Sequence, residues 1–299
     1  MHEASAQLVL IITLTFFLAG IVKGVTGMGL PTVAMGVLGA ILQPVAAASI
    51  LIIPSFVTNV WQLFAGPGFA VLASRLWPMM LGIVVGTVAG SSLLTSANTG
   101  WTTTGLGVAL ALYASFSLLA RPLPVPARME RWLSPVVGLT TGMITGGTGV
   151  FVIPAVPYLQ TLGLNRDNLI QALGLSFTIS TVALAIGLAR GGALHPGNVA
   201  TSGLAIVPAL MGMWFGQWIR LHISVATFRR WFLICLLLLG LELTIRPFLN
   251  DPAPTGAMGL AVVDIICVRV GEDKGGSRGR YLELLPVGIF RRITVRCLA

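Results

Sequence analysis

Charge is scarce in this 299-residue chain, and negative charge is scarcest. Asp, Glu, Lys and Arg make up 9% of the residues against 56% hydrophobic ones, and the mean hydropathy is +0.93. Soluble domains carry about 25% charged residues, so that class is excluded. Before Asp251 the only acidic residues are Glu3, Glu130, Asp167 and Glu242, and the only lysine is Lys23. Cysteine is limited to Cys235, Cys267 and Cys297, which form neither a metal spacing nor a disulfide framework. There is no H-E-x-x-H, no GxGD-type aspartate pair and no Walker A sequence. Those absences argue against an enzyme, a metal site, a bound cofactor and a nucleotide-driven pump.

Long apolar runs are what the chain has instead. Several reach the roughly twenty residues needed to cross a hydrocarbon core. They lack the polar–apolar alternation of a β-barrel. The fold class is therefore all-α: a polytopic membrane protein of about eight transmembrane helices in two duplicated modules. Spans are expected near 7–23, 45–64, 77–95 and 101–119, then over a broken run at 134–162 and near 169–188, 200–219 and 228–248. Leu8–Val22 reads as a retained first span, because Met1-His2-Glu3 lacks a basic n-region. The division is a first repeat over 1–120, a charged Pro-rich linker at 121–133, a second repeat over 134–250 and a basic tail over 251–299. The formal charge of +9 does not point to nucleic acid, since most arginines sit singly between spans. The partners are the lipid bilayer and a small anion, and the oligomeric state is open. With eight crossings, Arg75, Arg121, Arg128, Arg131, Arg190 and Arg246 share the side of both termini, which favours cytoplasmic termini.

The chain is organised around Gly20-Ile21-Val22-Lys23-Gly24-Val25-Thr26-Gly27-Met28-Gly29-Leu30-Pro31, echoed by Gly142 to Pro154. Glycines 20, 24 and 27 return as 142, 146 and 149, with Thr26 and Thr148 just before the last of each set. A helix-breaking stretch repeated at membrane depth points to a binding site. Pro78, Gly82 and Gly86 are echoed by Pro208, Gly212 and Gly216, with Trp101 opposite Trp231, which argues for duplication. Whether the repeats are parallel or inverted depends on whether the short piece at 31–42 adds a crossing, and both arrangements are open.

Lys23 lies beside the first break. One reading is snorkelling of its long side chain to the headgroups. The other is a cation facing an internal anion site. The near-absence of membrane carboxylates favours the anion, because cation carriers need Asp or Glu at membrane depth. Ser55, Thr58, Asn59 and Gln62 fall on one helical face, and the second half offers Ser176, Thr178, Ser180 and Thr181. Such stripes either glue helices together or line a path. The candidate substrate residues are Lys23, Gly24, Thr26, Gly27, Asn59, Gln62, Gly146, Thr148, Gly149, Ser176 and Ser180.

The glycine stretch, the span ending Asn59-Val60-Trp61-Gln62 and the half-length echo together resemble the TauE/SafE family of sulfite exporters and related permeases. The resemblance covers roughly 8 to 248. Gly24, Thr26, Gly27 and Gly29, with Gly146, Thr148, Gly149 and Pro154, match its glycine-rich signature, whereas Met28, Leu30 and the tail depart from it. It implies a permease in the bacterial inner membrane for sulfite or an organosulfonate, moving it outward. The alternative is a structural or accessory membrane subunit with no substrate path.

Overall fold

The computed structural model describes residues 2–95, 99–119, 126–194 and 196–248. The basic tail, His195 and Arg121 lie outside the described residues. The helices in order are α1 (His2–Thr26), α2 (Leu30–Ile41), α3 (Pro44–Leu63), α4 (Phe69–Leu94), α5 (Thr99–Leu119) and α6 (Ala127–Thr148). They are followed by α7 (Ala155–Thr161), α8 (Arg166–Arg190), α9 (Pro196–Leu204), α10 (Ile206–Ile219) and α11 (Val225–Ile245). No strand occurs among the described residues.

Six stretches are long and apolar enough to cross a membrane: Gln7–Thr26, Pro44–Leu63, Phe69–Leu94, Gly100–Leu119, Arg166–Arg190 and Gly197–Ile219, the last shared by α9 and α10. Helices α6 and α11 carry more charge at their ends, but pack lengthwise on α4 and α5 and match them in reach. That gives eight long passes, in keeping with the sequence. Helices α2 and α7 are shorter. Twelve residues of α2 reach roughly 18 Å at 1.5 Å per residue, and the seven of α7 roughly 10 Å, so each carries the chain back only together with the non-helical residues beside it.

Helix direction settles the relation between the halves. In α1, Gly20 presses on the backbone at Ala209 and Met213, and Gly24 on Met213 and Gly216, so α1 and α10 run parallel. In α6, Gly142 presses on Ile83 and Thr87, and Gly146 on Thr87 and Gly90, so α6 and α4 also run parallel. Leu63 meets Gly174 while Asn59 meets Thr181, so α3 and α8 are antiparallel. Gly107 meets Thr244 while Ala111 meets Gly240, so α5 and α11 are antiparallel. Equivalent helices of the two halves thus oppose each other, and the repeats are inverted. Each half contributes four long passes and one short one, and the short one reverses the parity. The first helix of each half packs on the fourth segment of the other.

Three sequence expectations change. The packing matches Gly86 with Gly212, which press on Leu139 and Phe17, and Gly90 with Gly216, which press on Met143 and Ile21. The Gly82/Gly212 match, and the Trp101/Trp231 match with it, are therefore out of structural register. Next, α4 starts at Phe69 and α6 at Ala127, so Arg75 and residues 127–133 are helical and not loop. A bidentate Arg75–Glu130 pair, with Arg75 Nε 2.7 Å from Glu130 Oε1 and Nη2 2.8 Å from Oε2, joins the second turn of α4 to the first turn of α6. At the other end of the chain, Arg246 Nη1 donates to Ala40 O at 2.7 Å. Finally, the inversion separates the arginines grouped above, leaving Arg190 and Arg246 on the side of the α1 start and Arg75, Arg128 and Arg131 on the other.

Backbone contact this close tolerates no side chain. A Cβ at Gly142 would stand 2.7 Å from Thr87 N, while one at Gly203 would meet nothing within 4 Å. Gly142→Ala is expected to destabilise the protein by about 1–3 kcal/mol and to lower its thermal midpoint in detergent, with Gly203→Ala unchanged. Unfolding monitored by size-exclusion fluorescence checks both.

Candidate substrate site

Helix α1 ends because the chain turns left-handed. Gly27 has φ 79° and Gly29 φ 107°, and Pro31 then opens α2 in its first turn. Thr26 Oγ1 donates back to Val22 O at 2.8 Å and receives the Met28 N–H at 3.3 Å, so the hydroxyl serves the break itself. The second break is built the same way. Gly149 has φ 73°, Thr148 Oγ1 donates to Ile144 O at 2.7 Å, and Val150 N donates to Thr148 Oγ1 at 3.2 Å. A Cβ at Gly149 would strike Met35 of α2.

Lys23 sits one turn before the first break and is only 3% exposed. Its Nζ donates to Thr58 Oγ1 at 3.1 Å and to Asn59 Oδ1. Snorkelling is therefore not its state. Asn59 Nδ2 in turn donates to Thr181 Oγ1 at 3.4 Å, and Thr181 Oγ1 donates to Phe177 O at 2.7 Å. The bonds run in one direction, from the ammonium of the first repeat to the backbone of the second. Asn59 and Thr181 are related by the residue offset that relates Thr26 to Thr148 and the start of α3 to the start of α8. Their contact thus lies at the interface of the inverted repeats, midway along α8.

Gln62 closes the other side of the break. Its Nε2 donates to Gly27 O and to Ile170 O, both at 2.9 Å. Both acceptors are carbonyls, which fixes the amide and leaves Oε1 as the free acceptor. Gln62 Oε1 is buried and bonded to nothing, as are Ser55 Oγ, Thr32 Oγ1, Ser176 Oγ and Ser180 Oγ. Buried polar groups in proteins are nearly always satisfied, so this set on α2, α3 and α8 is unusual. An ammonium has three donors, and Lys23 uses two on protein. The only ion pair among the described residues is Arg75–Glu130, so no carboxylate neutralises Lys23. The arrangement offers a positive charge, hydroxyl donors and one acceptor.

The structure brings Lys23, Gly27, Asn59 and Gln62 together. Ser176 and Ser180 are buried one turn apart on the helix that carries Thr181, without a bond to Lys23. Gly24 and Gly146 belong to helix packing, and Thr26, Thr148 and Gly149 shape the breaks. Thr58 and Thr181 were absent from the candidate set although both lie in the polar stripes, because a stripe does not say which hydroxyl meets the lysine. Gln171 is structural. Its amide donates to Leu63 O at 2.7 Å and Gly66 O at 2.6 Å and accepts from Gly68 N at 2.9 Å, pinning the α3–α4 turn.

Inverted repeats with irregular backbone at their interface, and polar groups gathered there, are an architecture shared by many membrane transporters. The chain belongs to the sulfite exporter TauE/SafE family, whose model matches residues 12–243. No curated protein and no solved structure matches it.

A hydrogen bond to a buried ammonium contributes about 1.5–3 kcal/mol. Asn59→Leu strands that charge and is expected to destabilise the protein, whereas adding Lys23→Met removes the charge and recovers part of the loss. A double-mutant cycle on thermal unfolding reads the coupling, and strictly additive losses would contradict the contact.

Proposed function

We propose that the protein is a secondary permease of the cytoplasmic membrane that exports a small sulfur oxyanion, sulfite or an organosulfonate, through a site centred on Lys23. The observation that carries this reading is the buried Lys23 ammonium at the repeat interface, hydrogen-bonded to Thr58 and Asn59 with no carboxylate among the described residues to neutralise it. A buried cation with a donor to spare attracts an anion and repels a metal ion. The unpartnered hydroxyls add neutral donors for the oxygens of a pyramidal or tetrahedral oxyanion. Gln62 Oε1 can accept only from a donor, which suits an oxyanion that keeps one proton, as hydrogen sulfite does.

Export needs no elaborate coupling machinery. An inside-negative potential favours exit of an anion by about 2.3 kcal/mol per charge per 100 mV. The family match supports a sulfur anion as cargo.

Proteoliposomes loaded with sulfite test the proposal. Lys23→Met is expected to cut flux roughly 10- to 100-fold, the equivalent of one charge-assisted hydrogen bond. Ser180→Ala is expected to cost only a few-fold. Undiminished flux through folded Lys23→Met protein would remove the lysine from the mechanism. Intact protein that moves no anion would favour the accessory-subunit reading.

A further inference from the structure

The helix directions fix which ends share a face. Arg75 of early α4 holds Glu130 of early α6 and donates to Leu162 O, just past α7. Gly68, just before α4, would meet Asn168 and Gln171 of early α8 if it carried a Cβ. Gln62 of late α3 bonds Gly27 O, at the end of α1, and Ile170 O. Late α1 lies along late α10, and Gly29 faces Phe232 of early α11. One face therefore collects the ends of α1, α3, α7 and α10 and the starts of α4, α6, α8 and α11. The opposite face holds the start of α1, the Thr95–Gly191 contact, Ser49 bonded to Ala193 O, and Arg246 bonded to Ala40 O.

Positive charge is unequal between these faces. The first bears Arg75, Arg128, Arg131, Arg166 and the Arg229/Arg230 pair, with Arg220 beside them. The second bears Arg190 and Arg246 among the described residues. All lie at or close to helix ends, where lysine and arginine decide orientation and acidic residues contribute little. The basic run of the chain's end does not restore the balance. After Arg246 the next basic residue is Arg269, beyond the roughly 15–20 residues over which the bias counts. Exposed tryptophans follow the same face. Trp61, Trp77, Trp132, Trp218 and Trp231 lie near helix ends there, and Trp101 near the other. Such rings anchor at the headgroup level.

We propose that the arginine-bearing face is the cytoplasmic one, seated on the anionic headgroups of the inner leaflet, and that the start of α1 and the end of α11 lie on the external side. This reverses the orientation expected from sequence, which grouped arginines by counting eight crossings. It also puts the break after α1, beside Lys23, in the cytoplasmic half of the protein and the break after α6 in the external half.

Single cysteines test it in cells whose outer membrane has been permeabilised. With Cys235, Cys267 and Cys297 changed to alanine, Gly197→Cys marks the α8–α9 connection and His222→Cys the α10–α11 connection. A membrane-impermeant maleimide is expected to label Gly197→Cys before lysis and His222→Cys only after it. The reverse pattern overturns the proposal, and so does labelling of both before lysis, which would mean mixed insertion. The unaltered full chain carrying a C-terminal reporter gives an independent reading. Alkaline phosphatase is expected to be active there and a green fluorescent protein dark, and the opposite result overturns the proposal even if the cysteine-free background fails to insert.

Discussion

Everything in this fold follows from one constraint: inside a bilayer, no backbone N–H or C=O can go unbonded against lipid. A chain that breaks its helix at membrane depth must do so surrounded by protein. Both breaks here meet that demand. Thr26 and Thr148 bond the freed backbone from within, Gln62 takes the Gly27 carbonyl, and the α1–α10 and α4–α6 contacts close around each break. The glycines that permit the close packing and the glycines that turn the chain are neighbours in one short motif, so break and enclosure are specified together.

The two halves are alike in backbone and unlike in charge. The position equivalent to Lys23 is Thr145, whose hydroxyl donates to Thr141 O at 2.7 Å and Val150 O at 3.1 Å and is thereby satisfied. The second break is thus neutral and internally bonded, while the first carries a cation that reaches across to Asn59. Under the proposed function, an inverted repeat with one charged break gives the anion a single attractive point at the interface. The neutral hydroxyls of α8 sit in the other half.

The helical class, the placement of both breaks and the polar face of α3 were legible in the sequence because each leaves a local mark: run length, glycine with proline, and spacing of one turn. The inversion was not. It depends on whether α2, at twelve residues, reverses the chain, and neither length nor periodicity decides that. The role of each glycine was hidden for a related reason. Gly24 and Gly27 look alike in sequence, yet one meets the backbone of α10 and the other holds φ 79°. The one-turn slip between Gly82 and Gly86 was invisible because glycines four apart present the same face. Arg75 and Glu130 read as loop charges in the sequence, yet both lie in the opening two turns of neighbouring helices and pair there.

The central claim is that Lys23 makes the repeat interface an anion site. Equilibrium binding of radiolabelled sulfite to purified protein in detergent, by scintillation proximity, tests it without any assumption about direction or coupling. Saturable binding that disappears in folded Lys23→Gln protein is the result this account predicts. Equal binding by the two proteins would contradict it.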